Sequence, residues 1–410
     1  MSRGAADLFD AIILGAGPAG AAAALALTAK GFTTALISHH ASISHNAPAG
    51  VQGLSARALF ALSEAGLRSA AAIASLPATR NVLWAGERSQ RGQEALIDRA
   101  VFDARLRACI NERAVCWMDA SVRSVAFVND AWQIQTNNGV IRGRTVLDAR
   151  GRHARRSDDR GPLLVSWSVA LHYGRGRREA PGSALAALDD GWCWLATTPE
   201  GVVSAQFVTS ATRRLSRVQL ADRIRSATRS LADFTFPIDR LTAEGTYHAC
   251  AAVARYAQPS RGQGNLRIGD ATVAMDPLSG NGIHEALRSA RVAVAAITSY
   301  LRGEPWSVVA RFVDERSREL WRRAVSTAAN FYRLQADWGG SEFWTSTAAD
   351  YERAVERATI RPDAKAQFEM RPVLNGDRIE LRRVWVSPEW PRGVWKVDGR
   401  SLEHASRGLR

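Results

Sequence analysis

The sequence predicts an α/β protein in which a nucleotide-binding domain is assembled from separated pieces, with a β-sheet domain inserted and a mostly helical region following. Three observations carry this. The N-terminal stretch FDAIILGAGPAGAAAALALTAKGFTTALIS reads as strand, glycine turn, helix, strand. The stretch NLRIGDATVAMDPLSGNGIHEALRSARVAVAAITSYL, some 250 residues later, again reads as strand, glycine turn and long helix. Between them lie LLVSWSVALHY, DGWCWLATTP and GVVSAQFVTS, short alternating runs typical of an antiparallel sheet. Two sequential domains would not explain the late return of the first pattern. The expected division is therefore 1–75, 98–160 and 263–304 for the nucleotide-binding part, 76–97 and 161–262 for the inserted substrate domain, and 305–410 for the C-terminal region.

The individual elements follow from local signals. FDAIIL is an apolar strand ending at Gly15, a helical pattern runs to about Lys30, and a second strand spans 33–37. SARALFALSEAGL has apolar residues at helical spacing behind a capping Ser55. RNVLWAG reads as a strand, and DRAVFDARLRACI as an amphipathic helix. Asn137 to Gly139 mark a tight turn between strands. RVQLADRIRSATRSLADF is a helix beside the inserted sheet. The chain is mostly helical from Pro305 to about Ala358, and DRIELRRVWVSP is strand-like. No solenoid repeat or low-complexity tail occurs.

The 410 residues carry a net charge of +14, and nearly all of it is Arg, with lysines only at Lys30, Lys365 and Lys396. Such charge favours an acidic partner or simply a solvated basic surface. No helix-turn-helix or RNP-like pattern accompanies it, so nucleic-acid binding is not expected. The apolar run at 11–29 contains Gly15, Gly17, Pro18 and Gly20 and is flanked by acids, so it reads as buried strand and helix, not as a targeting segment or a membrane span. Cys109, Cys116, Cys193 and Cys250 have neither metal-site nor disulfide spacing, which suits the cytoplasm. His39, His40 and His45 lack a supporting carboxylate in sequence, and no metal is expected.

Gly15, Gly17 and Gly20 form a GxGxxG turn between strand and helix. Gly15 permits the turn, Gly17 lets backbone approach a pyrophosphate, and Gly20 lets helix and strand pack closely. This is a Rossmann-like signature, and the helix start presents free N–H groups. At the later turn, Asp270 suits a sugar or ribityl hydroxyl. The Gly280-Asn281-Gly282 turn aims N–H groups at the space before its helix, a place that suits a flavin ring whose reduced form carries negative charge.

GAGPAG, LSARALFALSEAGL, IDRAVFDARLR and GDATVAMDPLSGNGIHEALRSA together resemble the single-component FAD monooxygenases and their relatives, across about residues 9–300. The resemblance implies a Rossmann-like FAD-binding domain in which Gly15, Gly17, Gly20, Arg99, Asp270, Pro277, Gly280, Asn281, Gly282 and Ile283 touch FAD or shape its seat. DARGR, at 148–152, is similar to a variant found in the halogenase-like branch. GWCWLATTP resembles the aromatic halogenase motif but lacks its Ile-Pro. Halogenases need a lysine between flavin and substrate, and no lysine lies between Lys30 and Lys365, which argues against halogenation. ANFYRLQADWGGSEFWTS and GDRIELRRVWVSPEWPRGVWKVDG are most similar to the peptidyl-tryptophan hydroxylases that mature the quinone cofactor of quinohemoprotein amine dehydrogenase.

That resemblance implies hydroxylation of an aromatic ring through a flavin hydroperoxide. The substrate would be a Trp side chain in an acidic protein or peptide, with O2 and NAD(P)H or reduced flavin as co-reactants. A hydroxylase of a free aromatic metabolite, or a non-catalytic flavin-binding scaffold for a maturing partner, are the rival expectations. His284 and Glu285 are candidate catalytic residues, each also suited to structural hydrogen bonding. Trp192 and Trp194 alternate along one strand face, suiting either a substrate wall or core packing. Oligomeric state is not legible. At the end of the second strand, where the relatives carry Glu for the adenosine ribose, this chain has Ser38. Loss of charge-assisted bonds there would cost about 1–2 kcal/mol, so loosely bound FAD is expected.

Overall fold

The computed structural model describes residues 8–39, 50–154, 157–172, 182–231, 238–359, 366–397 and 400–402. In chain order its elements begin with β1 (Leu8–Leu14), α1 (Pro18–Ala29), β2 (Thr34–Ile37), β3 (Val51–Leu54), α2 (Ala56–Glu64), α3 (Arg68–Ala71), β4 (Ala78–Trp84), β5 (Glu87–Asp98) and α4 (Arg99–Asn111). Next come β6 (Cys116–Met118), β7 (Val122–Val128), β8 (Ala131–Thr136), β9 (Gly139–Asp148) and β10 (Asp159–Arg160). The inserted region supplies β11 (Leu164–His172), β12 (Gly182–Leu188), β13 (Gly191–Thr197), β14 (Val202–Ser210), α5 (Arg217–Ser230), α6 (Ile238–Glu244) and β15 (Thr246–Ala251). The chain returns through β16 (Arg255–Tyr256), β17 (Asn265–Arg267), β18 (Val273–Ala274) and α7 (Gly282–Leu301). It continues with α8 (Trp306–Gly339), α9 (Glu342–Ala358) and the hairpin β19 (Gln367–Asn375) and β20 (Arg378–Val386).

The apolar runs of β1 and β2 become neighbouring parallel strands, as continuous apolar strands covered on both faces do. β9 lies parallel on the other side of β1, and its last residues pair with the late strand β17. The N-terminal and late pieces thus share one sheet. α1 is buried nearly all round, from Ala19 to Leu25, and packs against Ala290, Ala293 and Ala296 of α7. Alanines on both helices permit that approach.

The second sheet runs β15-β11-β14-β13-β12-β4-β5-β3, antiparallel except where β12 meets β4. Residues of β4 and β5 therefore join the inserted strands. Val51–Leu54, placed in the nucleotide-binding part from sequence, is instead an edge strand of this second sheet. Glycine makes the close approach possible: a Cβ on Gly53 would lie 2.0 Å from Glu94 Oε2, and one on Gly50 would lie 2.8 Å from Ser204 Oγ.

One face of this sheet packs on α5 and α6 through Cys193, Leu195, Phe207, Leu220 and Ile224. The other carries Trp192, Trp194 and Val208 against Trp321, Tyr332, Trp344 and Tyr351 of α8 and α9. The cap read at Ser55 is present: it accepts the Ala58 N–H. Two further caps appear that sequence reading had not named: Asp98 accepts the N–H groups of Ala100 and Val101, and Ser216 with Gln219 forms a reciprocal capping box. The strand-like C-terminal run acquires a partner, β19, that sequence did not flag. Their hairpin is tied to α7 by Ile379 N–H donating to Ser299 Oγ at 2.7 Å.

Trp344 is 1% exposed, meets Trp84 edge-on at 5.2 Å and donates to Leu188 O at 2.8 Å. Trp344→Ala is expected to destabilise the fold by about 3–5 kcal/mol, read as a lowered urea midpoint. A loss within experimental error would mean that α9 does not pin the second sheet.

Candidate active site

The first glycine turn uses each glycine differently. Gly15 has φ +103°, donates its N–H to Ile37 O at 2.8 Å, and has no room for a Cβ beside Ala149 O. A Cβ on Gly20 would lie 1.9 Å from Gly15 O, so only glycine lets α1 leave the turn here. Gly17 differs: a Cβ there would meet no described atom within 4 Å. It caps α1, whose first turn holds no acid and no side-chain cap among the described residues. The arrangement leaves backbone donors facing open space, the chemistry a pyrophosphate requires.

Half-buried Ser38 ends β2 next to this turn and donates its N–H to Met118 O at 3.1 Å. An acid that sequence reading did not connect to this place lies on the neighbouring strand end: Asp119 Oδ1 is 3.2 Å from His39 Nδ1. His40 and His45 lie outside the described residues.

The two glycine turns converge. Gly269, with φ +60°, sits where a Cβ would lie 3.0 Å from Ala19 Cβ and 3.6 Å from Ala286 Cβ, between the first turns of α1 and α7. Its N–H donates to Ser289 Oγ at 2.5 Å. Asp270 follows, and its carboxylate accepts from Arg152 Nε at 3.2 Å. Arg152, the last residue of DARGR, also donates to Ala251 O, Val253 O and Met275 O. It fastens the late turn to the second sheet, a role spacing alone did not reveal.

Asp276 opens the next turn, taking the Leu278 N–H at 2.8 Å. Pro277 leads into Gly280, which is left-handed at φ +60°, then Asn281 and Gly282 at the start of α7. A Cβ on Gly280 or on Gly282 would meet no described atom within 4 Å. The start of α7, like that of α1, is therefore open at its backbone. Ile283 points inward, packed on the first core.

Arg99 sits at the seam between the sheets. Its Nε donates to both Asp103 oxygens at 2.9–3.0 Å, its Nη1 to Gln52 Oε1 at 3.2 Å, and its N–H to Gly50 O at 3.1 Å. Beyond Gly50, strand register sets a polar row on the face of the second sheet that carries Trp194. Gln206 is opposite Ser168 and Trp194, and Ser168 is opposite His248. Gln206 Nε2 donates to Ser166 Oγ at 2.7 Å, while the buried Nε2 of His248 finds no partner among the described residues. The row is a polar strip on an otherwise apolar sheet face. The alternating Ser166-Trp167-Ser168 in an apolar strand was its only sequence signal.

The remaining candidates acquire structural partners. His284 Nδ1 is 3.3 Å from Glu285 Oε1, and Glu285 also pairs with Arg288 at 3.1 Å. Trp192 and Trp194, 2% and 8% exposed, are packed into the interface with α8 and α9. Trp192 donates to Tyr332 Oη at 3.0 Å. Core packing, the second of the two expectations, describes both rings.

Residues 9–128 match a family described as FAD binding domain. A solved peptidyl tryptophan dihydroxylase, QhpG, essential for tryptophylquinone cofactor biogenesis, is 32% identical, with a TM-score of 0.81 over 98% of this chain and 93% of its own. The chain belongs to the FAD-dependent monooxygenase family. The flavin-dependent halogenase CmlS shares the fold at 18% identity and a TM-score of 0.69, over 94% of this chain and 86% of its own. So does CtdE, solved in complex with FAD, at 14% identity and a TM-score of 0.61, over 86% of this chain and 100% of its own. No curated protein matches the chain. In this monooxygenase the open backbones at Gly17, Gly280 and Gly282 fit an extended dinucleotide, with Gly269 between them bringing both ends within one fold.

Two outcomes follow for FAD. Gly17→Ala adds a Cβ that meets no described atom within 4 Å and should leave thermal stability nearly unchanged while weakening FAD at least about tenfold, or about 1.4 kcal/mol. An unaltered Kd would place the pyrophosphate elsewhere. Ser38→Glu should tighten FAD roughly tenfold in a fluorescence titration of the apoprotein. Tight stoichiometric binding by the unaltered chain would show that Ser38 costs nothing.

Proposed function

We propose that this monooxygenase hydroxylates a Trp side chain within a protein or peptide during formation of a quinone cofactor. The single observation that carries the reading is the likeness to the peptidyl tryptophan dihydroxylase, which extends over the whole chain, C-terminal region included. The net charge of +14 favours an acidic polypeptide as the partner.

When bound, FAD would supply two-electron activation of dioxygen. The balance is one Trp C–H, O2, NAD(P)H and a proton giving C–OH, water and NAD(P)⁺, with reduced flavin an equivalent electron source. The protein's own part is positioning. Gly17 and the start of α1 hold the pyrophosphate end. Arg152 and Asp276 hold the late turn, and the N–H groups at the start of α7 would serve the flavin ring. Gln206, Ser168 and His248 line the sheet face beside Gly50 and orient the substrate through hydrogen bonds. An indole is electron-rich, so no nucleophile or strong base is required. His284 and Glu285 pair with each other, and Glu285 with Arg288, all within the first turns of α7.

The test is incubation of FAD-loaded protein with NADPH and ¹⁸O2, offering a panel of acidic Trp-containing polypeptides and free tryptophan. The expected result is a polypeptide mass raised by one or two labelled oxygen atoms on Trp. Label on free tryptophan alone would make the chain a metabolite hydroxylase. Flavin reoxidation with no labelled product would favour the scaffold reading.

A further inference from the structure

Asp276 is 4% exposed, and its hydrogen bonds reach well beyond its own turn. One oxygen accepts the Leu278 N–H. The other accepts two phenols, Tyr332 Oη of α8 at 3.2 Å and Tyr351 Oη of α9. Tyr332 in turn receives the indole N–H of Trp192 from the second sheet, and the two Tyr rings lie 5.3 Å apart. The residue that opens the flavin-facing turn is thereby tied to both C-terminal helices and to the substrate sheet. Phenylalanine at both Tyr positions and a neutral residue at 276 would pack the same volume without burying a charge.

We propose that Tyr332 and Tyr351 are positioning residues that act through Asp276: they hold a buried negative charge at the start of the flavin-facing turn and fix the backbone donors of residues 278–282, and so set the redox balance of the flavin seated there. The proposal rests on the FAD reading above. Burial raises the Asp276 carboxyl pKa, and the Tyr351 phenol, the Leu278 N–H, the Tyr332 phenol and the Arg152 charge offset that rise only in part, so the donors are what favour its ionised form. Both phenols are driven well above their ordinary range, first by burial and next by the Asp276 charge. They therefore stay protonated and donate. A fixed carboxylate opposes the negative charge that flavin gains on reduction, whereas oriented N–H groups favour it. The network balances the two.

The experiment measures the ratio of reduced to oxidised bound flavin at a fixed reference-dye potential. Asp276→Asn removes the charge at constant shape and should raise the ratio at least about tenfold, which is about 30 mV for a two-electron couple. Tyr332→Phe and Tyr351→Phe should each move it in the same direction by less. Neither should add to Asp276→Asn, because all three act through one carboxylate. Tyr247→Phe, whose phenol bonds Thr242 O away from this network, should leave it unchanged. Independently of flavin, amide hydrogen exchange at residues 278–282 of the apoprotein should quicken in both Tyr variants.

Bound flavin whose ratio is the same in all three variants overturns the proposal. So does a Tyr shift that persists in full in the Asp276→Asn background. If Asp276→Asn does not fold, the two single Tyr variants decide by the same ratio. A chain that binds no flavin refutes the FAD reading instead, and the exchange rates then decide alone whether the phenols hold the turn.

Discussion

The contact on which the site depends is the seating of Gly269 between Ala19 and Ala286. A left-handed glycine fits there because neither helix offers more than a methyl group. That fit lets α1 and α7 cross closely enough for the turns that precede them to share one seat. Larger side chains at any of the three positions would separate the helices and leave two unrelated loops. The second sheet can be inserted between the two halves because β17 pairs with β9, closing the first sheet whatever the length of the intervening chain.

Around that seat the protein distributes charge sparingly. Arg152 and Asp270 neutralise each other while Arg152 spends its other donors on three carbonyls. Arg99 is balanced by Asp103. Asp276 is held by neutral donors, with Arg152 the nearby cation. Most of the +14 net charge therefore belongs to arginines elsewhere in the chain. Strong hydrogen bonds fix backbone, and the space beside Gly17, Gly280 and Gly282 holds no described protein atom within 4 Å of a built Cβ.

The C-terminal helices act as the rear wall of the site. α8 and α9 cover the Trp192 face of the second sheet, and their phenols reach through to the turn that Asp276 opens. Trp192 and Trp194 thus belong to a packed seam, and a polar row begins one cross-strand step away at Gln206.

Sequence alone determined the features that depend on a few adjacent residues. The tight turn at Gly15 and Gly20, the cap at Ser55, and the apolar strands β1 and β2 are local: each is settled by sterics or hydrogen bonds within about one helical turn or strand. Motif resemblance added the family. Tertiary structure alone decided what depends on residues far apart in the chain. Arg152 meets Asp270 across 118 positions and Tyr351 meets Asp276 across 75. Asp119 stands beside His39 only because β6 pairs with β2. β3 belongs to the second sheet because it pairs with β5, about 40 residues later in the chain. A pattern of spacing holds no information about such partners, since the free energy that selects them arises only when the helices and sheets have packed.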